Sequence, residues 1–194
     1  MDAAYSSDEA MEISDADPTR DGAACAAIYA PFVTDSAVSF EEDAPDAPAM
    51  AQRIAAAQRT HPWLVAREHA TMLGYAYATA HRTRPAYRWA ADVSVYVAPQ
   101  HRGRGIGRAL YENLLATLAR QDIHIACAGI TLPNPASVAL HEALGFVPAG
   151  VYRQIGFKAG AWYDVGWWQR RLLRAEPDPP APGPPPRGDP GRHQ

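Results

Sequence analysis

Cysteine is scarce in this chain of 194 residues, which has only Cys25 and Cys127. Neither belongs to a CxxC pair or to a Cys/His cluster at metal-ligand spacing, so a zinc ribbon or disulfide framework is excluded and no metal is expected. Both sit in apolar surroundings, AACAAI and IACAGI, as buried structural thiols do, which suits a reducing cytoplasm. No apolar run reaches the ~18 residues of a membrane span. The N-terminus, MDAAYSSDEA, is acidic and polar and does not resemble a signal peptide. The expected location is the cytoplasm, with no membrane partner. Basic residues are missing from the first 50 positions, where Arg20 stands alone against 12 acidic residues. Residues 51–194 hold the other 17 Lys+Arg against 9 Asp+Glu. That part can offer a positive surface to an anionic small molecule or to nucleic acid.

What is present divides into three segments. Residues 1–10 read as disordered, and Met11, a possible alternative start, opens the first strand, MEIS. Residues 11–175 read as one folded domain. Residues 176–194 include the run PDPPAPGPPPRGDPGRHQ, which can build neither helix nor ladder and reads as a disordered, extended, solvated tail. Within the body, Asp17-Pro18 is a helix start, and the helix is expected over 18–30 with Ala24, Ala27 and Ile28 inward. A second helix is expected over 48–59, with Met50, Ile54 and Ala57 at helical spacing. Strands follow at 63–67, 72–79 and 89–97. A third helix carries the stripe Leu110, Leu114 and Leu118. A strand over 123–130, a helix over 135–145 ending at Gly145 and two closing strands complete an α/β domain with a mixed sheet.

The stretch HRGRGIGRALYENLLATLAR, from His101 to Arg120, lies between a strand and a helix. A Walker loop requires lysine and then Ser or Thr after its last glycine, but Arg108 and Ala109 follow Gly107. A dinucleotide fingerprint requires GxGxxG, but Gly103, Gly105 and Gly107 alternate. What remains is a general anion cradle: glycines let backbone N–H groups face an anion, and the helix N-terminus adds a positive dipole end. Arg102, Arg104 and Arg108 add charge.

The motif VSVYVAPQHRGRGIGRAL resembles the core of the GCN5-related N-acetyltransferases, whose pattern is Arg/Gln-x-x-Gly-x-Gly. Arg102, Gly105 and Gly107 match it. The segment NPASVALHEALGF resembles the family's second cofactor segment, through Asn134, Ser137, Leu140, Gly145 and Phe146. Pieces such as IYAPFV, HPWLVA, RTRPAYRW, LPNPAS and GFKAGAWYDVGWWQ, spread over about 11–172, are similar to one branch, the phosphinothricin and arsinothricin N-acetyltransferases. The resemblance implies the family's fold, a mixed central sheet flanked by helices. It also implies acetyl-CoA as co-substrate, bound by Val95, Tyr96 and Val97 along the strand, by Arg102, Gly103, Arg104, Gly105, Ile106, Gly107 and Arg108 in the loop, and by Asn134 and Ser137. A homodimer is expected on the same ground.

Acetyl transfer to an amine requires that the ammonium lose a proton, that the thiolate leave, and that both substrates be held in attack geometry. Asp92 is a carboxylate in a strand of valine and alanine, where burial is costly without partners. The branch resembled here has glutamate as base at this position. The shorter aspartate acts directly, through water, or by orienting the amine. His141 matches a histidine of the branch with a proposed catalytic role, and it can give or take a proton near neutrality. Tyr111 reads as packing. Arg82, Arg84 and Tyr87 in HRTRPAYRW suit an anionic amino-acid-like acceptor, because guanidinium forks bind carboxylate and phosphinate bidentately. Phe40 matches an aromatic pocket residue of the branch. Gly129 and Thr131 in AGITLPN depart from the branch's commoner AVIGLPN, so specificity can differ. The tryptophans, GWWQ included, read as core or interface.

The expected function is acetyl transfer to the amino group of a phosphinothricin, arsinothricin or methionine sulfone/sulfoximine type of acceptor. Open alternatives are an acetyltransferase for another amine or a protein, and a noncatalytic acyl-CoA sensor. A nucleic-acid partner is not expected, since no stacking aromatics interleave HRGRGIGR and the N-terminal part is acidic.

Overall fold

Capping side chains set the start of three of the four helices in the computed structural model, which describes residues 11–186. Asp17 accepts hydrogen bonds from the backbone N–H groups of Thr19 (2.9 Å) and Arg20 (2.8 Å) and starts α1 (Pro18–Thr34). Asp46 accepts from the N–H of Ala49 at 2.8 Å and starts α2 (Ala47–Ala57). Asn134 accepts from the N–H of Ser137 at 3.1 Å and starts α4 (Pro135–Ala143). The exception is α3 (Ile106–Arg120), whose N-cap is Gly105 and which has no capping side chain.

The strands are β1 (Glu12–Asp15), β2 (Trp63–Glu68), β3 (Thr71–Ala80), β4 (Ala90–Val97), β5 (Ile125–Leu132), β6 (Val147–Lys158) and β7 (Ala161–Arg171). They form one mixed sheet in the order β1-β2-β3-β4-β5-β7-β6. All neighbours are antiparallel except β4 and β5, which α3 joins as a crossover. The expected mixed sheet flanked by helices is therefore observed. The last strand of the crossover begins later than expected, because Ile123 and His124 are spent on turning out of α3: their N–H groups bond Leu118 O and Trp89 O.

Leu110, Leu114 and Leu118 are completely buried under α3, against Ala76, Ala91, Val93 and Ala128 of the sheet. Each such side chain contributes about 1.5–3 kcal/mol by leaving water. Met50 and Ile54 of α2 are buried as their spacing implies. The face of α1 is rotated from expectation. Ala27 is exposed, and the buried residues are Asp21, Gly22, Cys25, Ala26, Ile28, Tyr29 and Val33. The cause is Asp21, a charge that periodicity counts as outward. It accepts from the N–H of Asp17 (2.8 Å) and from Arg20, and pairs with Arg67 of β2, so its burial is compensated.

The feature that prepares a site is the short pairing of β4 with β5. It covers Ala90↔Ile125, Ala91↔Ala126 and Asp92↔Cys127. Beyond Asp92, β4 continues on β3 alone and β5 on β7 alone, so the two parallel strands part in a V.

The described part of the proline-rich segment forms neither helix nor strand and lies on the body. Trp89 Nε1 donates to Pro180 O (2.7 Å), while Gln121 Nε2 donates to Gly183 O (2.9 Å) and the N–H of Gly183 to Gln121 O (3.1 Å). The readings of 1–10 and 187–194 lie outside the described residues. Among the described residues, no helix is long and apolar enough to cross a membrane.

Candidate active site

The free edge of β4 runs into the glycine–arginine loop. Val93, Val95 and Val97 pack toward α3. Alternation sends Asp92, Ser94 and Tyr96 to the opposite face, where Tyr96 meets Tyr29 (4.9 Å) and Phe32 (5.0 Å) edge-on. The amides of Val93–Val97 have no partner strand on the β5 side. Then come Gly103 and Gly105, at φ +76° and +78°, a backbone conformation that disfavours any side chain. Around either, the space a Cβ would enter is open. Ile106 is buried and anchors the start of α3. Gly107 has a different reason to be small: a Cβ there would touch Leu140 of α4 at 3.4 Å and Val97 at 3.6 Å.

The loop's arginines are engaged within the chain. Arg102 lies over the ring of Phe32 at 5.2 Å. Arg104 pairs with Glu68, and Arg108 with Glu112 at 2.9 Å. All three remain exposed.

A cavity of about 70 Å³ passes through the V, lined by Val38, Ser94, Val95, Tyr111, Gly129, Thr131, Asn134, Ser137 and His141. His141 is buried. Its Nδ1 lies 2.7 Å from Ser137 O, which can only accept, so Nδ1 carries the proton. Nε2 then accepts from the hydroxyl of Tyr111 at 3.0 Å. Burial lowers the pKa of His141, and the Ser137 carbonyl opposes this in part. Burial pushes the Tyr111 phenol far up. Tyr111 therefore packs, as read from the sequence, but it is also one half of a hydrogen-bonded pair at the cavity wall.

On the other face of the sheet, Asp92 stands where the strands part. Its Oδ1 is 2.6 Å from Nδ1 of His81, and its side chain is 29% exposed. Burial raises the Asp92 pKa, and His81 and Arg82 pull it back. His81, Asp92 and Cys127 bring one potential ligand atom each within 4.8 Å of one another. Burial, aided by the charge of Asp92, pushes the Cys127 thiol up to about 11.

The walls of this face come from distant segments. Trp167 of β7 lies on Gly129, where a Cβ would meet the indole at 3.3 Å. The ring of His81 is edge-on to Trp167 at 5.8 Å and 6.1 Å from Tyr87. Phe40 is 39% exposed and therefore not core. It packs near Tyr163 (6.3 Å) and over Gly156, where a Cβ would collide with its ring. Lys158, the single lysine, donates from Nζ to Val33 O and Ser39 O at 2.6 Å each, tying the β6–β7 hairpin to the loop that carries Phe40. Arg82 donates to His81 O (2.9 Å) and lines a cavity of about 200 Å³ with His81, Cys127, Tyr152 and Trp167. Arg84 is exposed and opens the 3-10 turn Pro85–Tyr87. The fold thus brings Arg82 to Asp92 and Tyr87 to His81, with Arg84 at the outer end of that loop.

Sequence reasoning passed over His81, Lys158 and the role of Trp167. His81 could have been found from strand pairing, since a hairpin matching Ala80 with Ala91 sets it beside the Asp92 segment. Trp167 carries a further signal: its Nε1 is buried without a hydrogen-bond partner among the described residues.

Known proteins resemble this chain over most of its length. A family model described as an acetyltransferase (GNAT) domain matches residues 18–167. A phosphinothricin N-acetyltransferase of Streptomyces viridochromogenes is 38% identical over 163 residues, covering 84% of this chain and 89% of its own. One from Alcaligenes faecalis is 43% identical, covering 77% of each chain. A phosphinothricin acetyltransferase of Sinorhizobium meliloti, solved with acetyl-CoA, superposes with a TM-score of 0.80 at 36% identity, covering 84% of this chain and 89% of that one. An acetyltransferase structure from Salmonella typhimurium with acetyl-CoA gives 0.83 at 34%, covering 88% and 99%. With the parted strands, the glycine loop and this breadth of similarity together, the chain belongs to the GNAT acetyltransferases.

Proposed function

We propose that the protein moves the acetyl group of acetyl-CoA to the amino group of a small amino-acid-like acceptor, of the phosphinothricin, arsinothricin or methionine sulfone/sulfoximine type. The observation that carries this is the V at Asp92, open to an uncapped, glycine-lined helix start on one side and to a side-chain cleft on the other. Acetyl-CoA fits the first side. The β4 edge offers amides to an extended pantetheine arm, and Gly103, Gly105 and the start of α3 offer N–H groups to a pyrophosphate. Arg102, Arg104 and Arg108 supply a positive rim, and Asn134 and Ser137 frame the α4 wall.

The acceptor takes the second side. Arg82, Arg84 and Tyr87 meet its anionic end, and the unpaired Nε1–H of Trp167 supplies one more donor. Phe40 closes the wall against Gly156. Asp92 accepts the ammonium proton or orients the amine for attack. His141 holds the Tyr111 hydroxyl on the donor side. When His141 is protonated, a proton passes from Nε2 through that hydroxyl to the departing thiolate. A homodimer is supported by the apolar residues that β6 and β7 leave exposed, Val147, Ile155, Phe157 and Trp162 among them. Light scattering after gel filtration should give twice the chain mass.

The test is coenzyme A release with a panel of acceptors: phosphinothricin, arsinothricin, methionine sulfone, methionine sulfoximine and an N-terminal peptide. Turnover of the small acceptors is expected. Turnover of the peptide alone would overturn the reading.

A further inference from the structure

We infer that His81 completes the proton acceptor: Asp92 holds the imidazole at Nδ1, and Nε2 carries away the proton that the acceptor's ammonium gives up. The inference rests on the acyl-transfer reading above.

The hydrogen bond is 2.6 Å long and joins His81 Nδ1 to Asp92 Oδ1. If the carboxylate is ionised it can only accept, so Nδ1 carries the hydrogen and Nε2 keeps its lone pair. This is how a carboxylate orients a histidine as a general base in hydrolytic triads. Here the pair stands at the point where β4 leaves β5. Its position is held from several sides. The N–H of His81 donates to Ala90 O (3.3 Å), Arg82 grips the His81 carbonyl, and Trp167 and Tyr87 flank the ring.

The ring edge away from Asp92 carries Nε2. His81 lines the cavity of about 200 Å³ and is 18% exposed, so a proton arriving there has a route to solvent. Asp92 has a short side chain and does not itself line that cavity, whereas the imidazole it holds does.

The charged and titratable groups facing His81 are Asp92 from β4, Arg82 beside it, Cys127 from β5, Tyr87 from the 3-10 turn and Tyr152 from β6. Cys127 stays a neutral thiol at working pH, its pKa pushed up to about 11. Asp92 is thus the negative partner in the pair, and Arg82 is the cation that faces it.

The step balances. The ammonium gives one proton to the His81–Asp92 pair, and the freed nitrogen lone pair forms the N–C bond to the thioester carbonyl. The C–S bond breaks and its electron pair leaves on sulfur. The second nitrogen proton replaces the one that His141 and Tyr111 pass to that sulfur, and the His81–Asp92 pair returns its own proton to water. The net products are the acetamide, coenzyme A thiol and one proton.

His81→Asn is the deciding variant. An asparagine amide can keep the bond to Asp92, but it has no nitrogen that takes a proton. The expected result is a kcat lowered about 100-fold, within the range of general acid–base catalysis, with a displaced acid limb of the pH profile and unchanged acetyl-CoA binding by calorimetry. If His81→Asn keeps the wild-type kcat while Asp92→Asn loses it, Asp92 is the base alone and the inference fails. If both variants keep full rate, the base assignment of the wider reading fails as well. If His81→Asn does not bind acetyl-CoA, His81→Ala with added imidazole replaces it. Rescue that grows with free-base imidazole supports the relay, and absence of rescue overturns it.

Discussion

On the side of the V proposed for the donor, the free strand edge, the glycine loop and the start of α3 follow one another in a single stretch, residues 93–108. On the side proposed for the acceptor, Phe40, His81, Asp92, Cys127 and Trp167 come from separate segments of the chain. The donor half presents backbone: an open ladder edge and a helix start with no capping side chain. The acceptor half presents side chains, each placed by a contact with another element. A backbone site depends on φ and on small residues, and it tolerates loss of a side chain that points to water. A side-chain site depends on volume and on single donors. The two halves should therefore respond to different kinds of substitution.

The largest contrast is expected from Gly105→Val. A β-branched residue at φ +78° is strained and narrows the cradle. The KM for acetyl-CoA should rise by about 30-fold or more, at ~1.4 kcal/mol per tenfold, while the acceptor KM stays within about twofold. An equal rise in both constants would erase the division between the halves.

Gly129→Val tests the opposite half. Its Cβ would sit 3.3 Å from the Trp167 ring and its methyl groups closer, so the indole must move. The expected outcome is an acceptor KM raised about tenfold with acetyl-CoA binding little changed, read from initial rates with each substrate varied in turn. Next in size is Trp167→Phe, which keeps an aromatic wall and removes the unpaired N–H. Loss of one ordinary hydrogen bond corresponds to about 0.5–1.5 kcal/mol. A rise of about tenfold in acceptor KM is the upper expectation, because the phenyl ring also relaxes. No change would remove Trp167 from the acceptor site.

The smallest effect belongs to Arg108→Ala. Arg108 is exposed and pairs one turn along with Glu112, a contact of a few tenths of a kcal/mol. Either KM should move less than about twofold. A tenfold loss of acetyl-CoA affinity would show that side-chain charge, and not only backbone, holds the donor.

Much of the stretch proposed for the donor was legible because its structure is local. Alternating glycines before an apolar helix declare both the turn and the helix start, and capping residues such as Asp17 and Asn134 mark helix ends by bonding two or three residues on. Asp92 stood out because a carboxylate in a valine strand demands a partner, but which partner was not legible. His81 lies 11 positions away and becomes its neighbour only when β3 and β4 pair in register. The face of α1 was misread for the same reason. Asp21 is paired with its neighbour Arg20 but also with Arg67 on β2, and that second counter-charge is not visible in the local pattern. Tyr111 was legible as packing but not as the partner of His141, which arrives on a different helix.

The sequence by itself determined most of the elements, the glycine turn ahead of α3 and the family, since each depends on residues within about one helical turn or on a matching motif. Only the tertiary structure decided that β4 and β5 part at Asp92, that His81 meets it, that Trp167 covers Gly129, and that the segment through Gly183 lies on the body. Those facts depend on strand register and on side chains from separate elements reaching one place, and neither is written in the spacing of neighbouring residues.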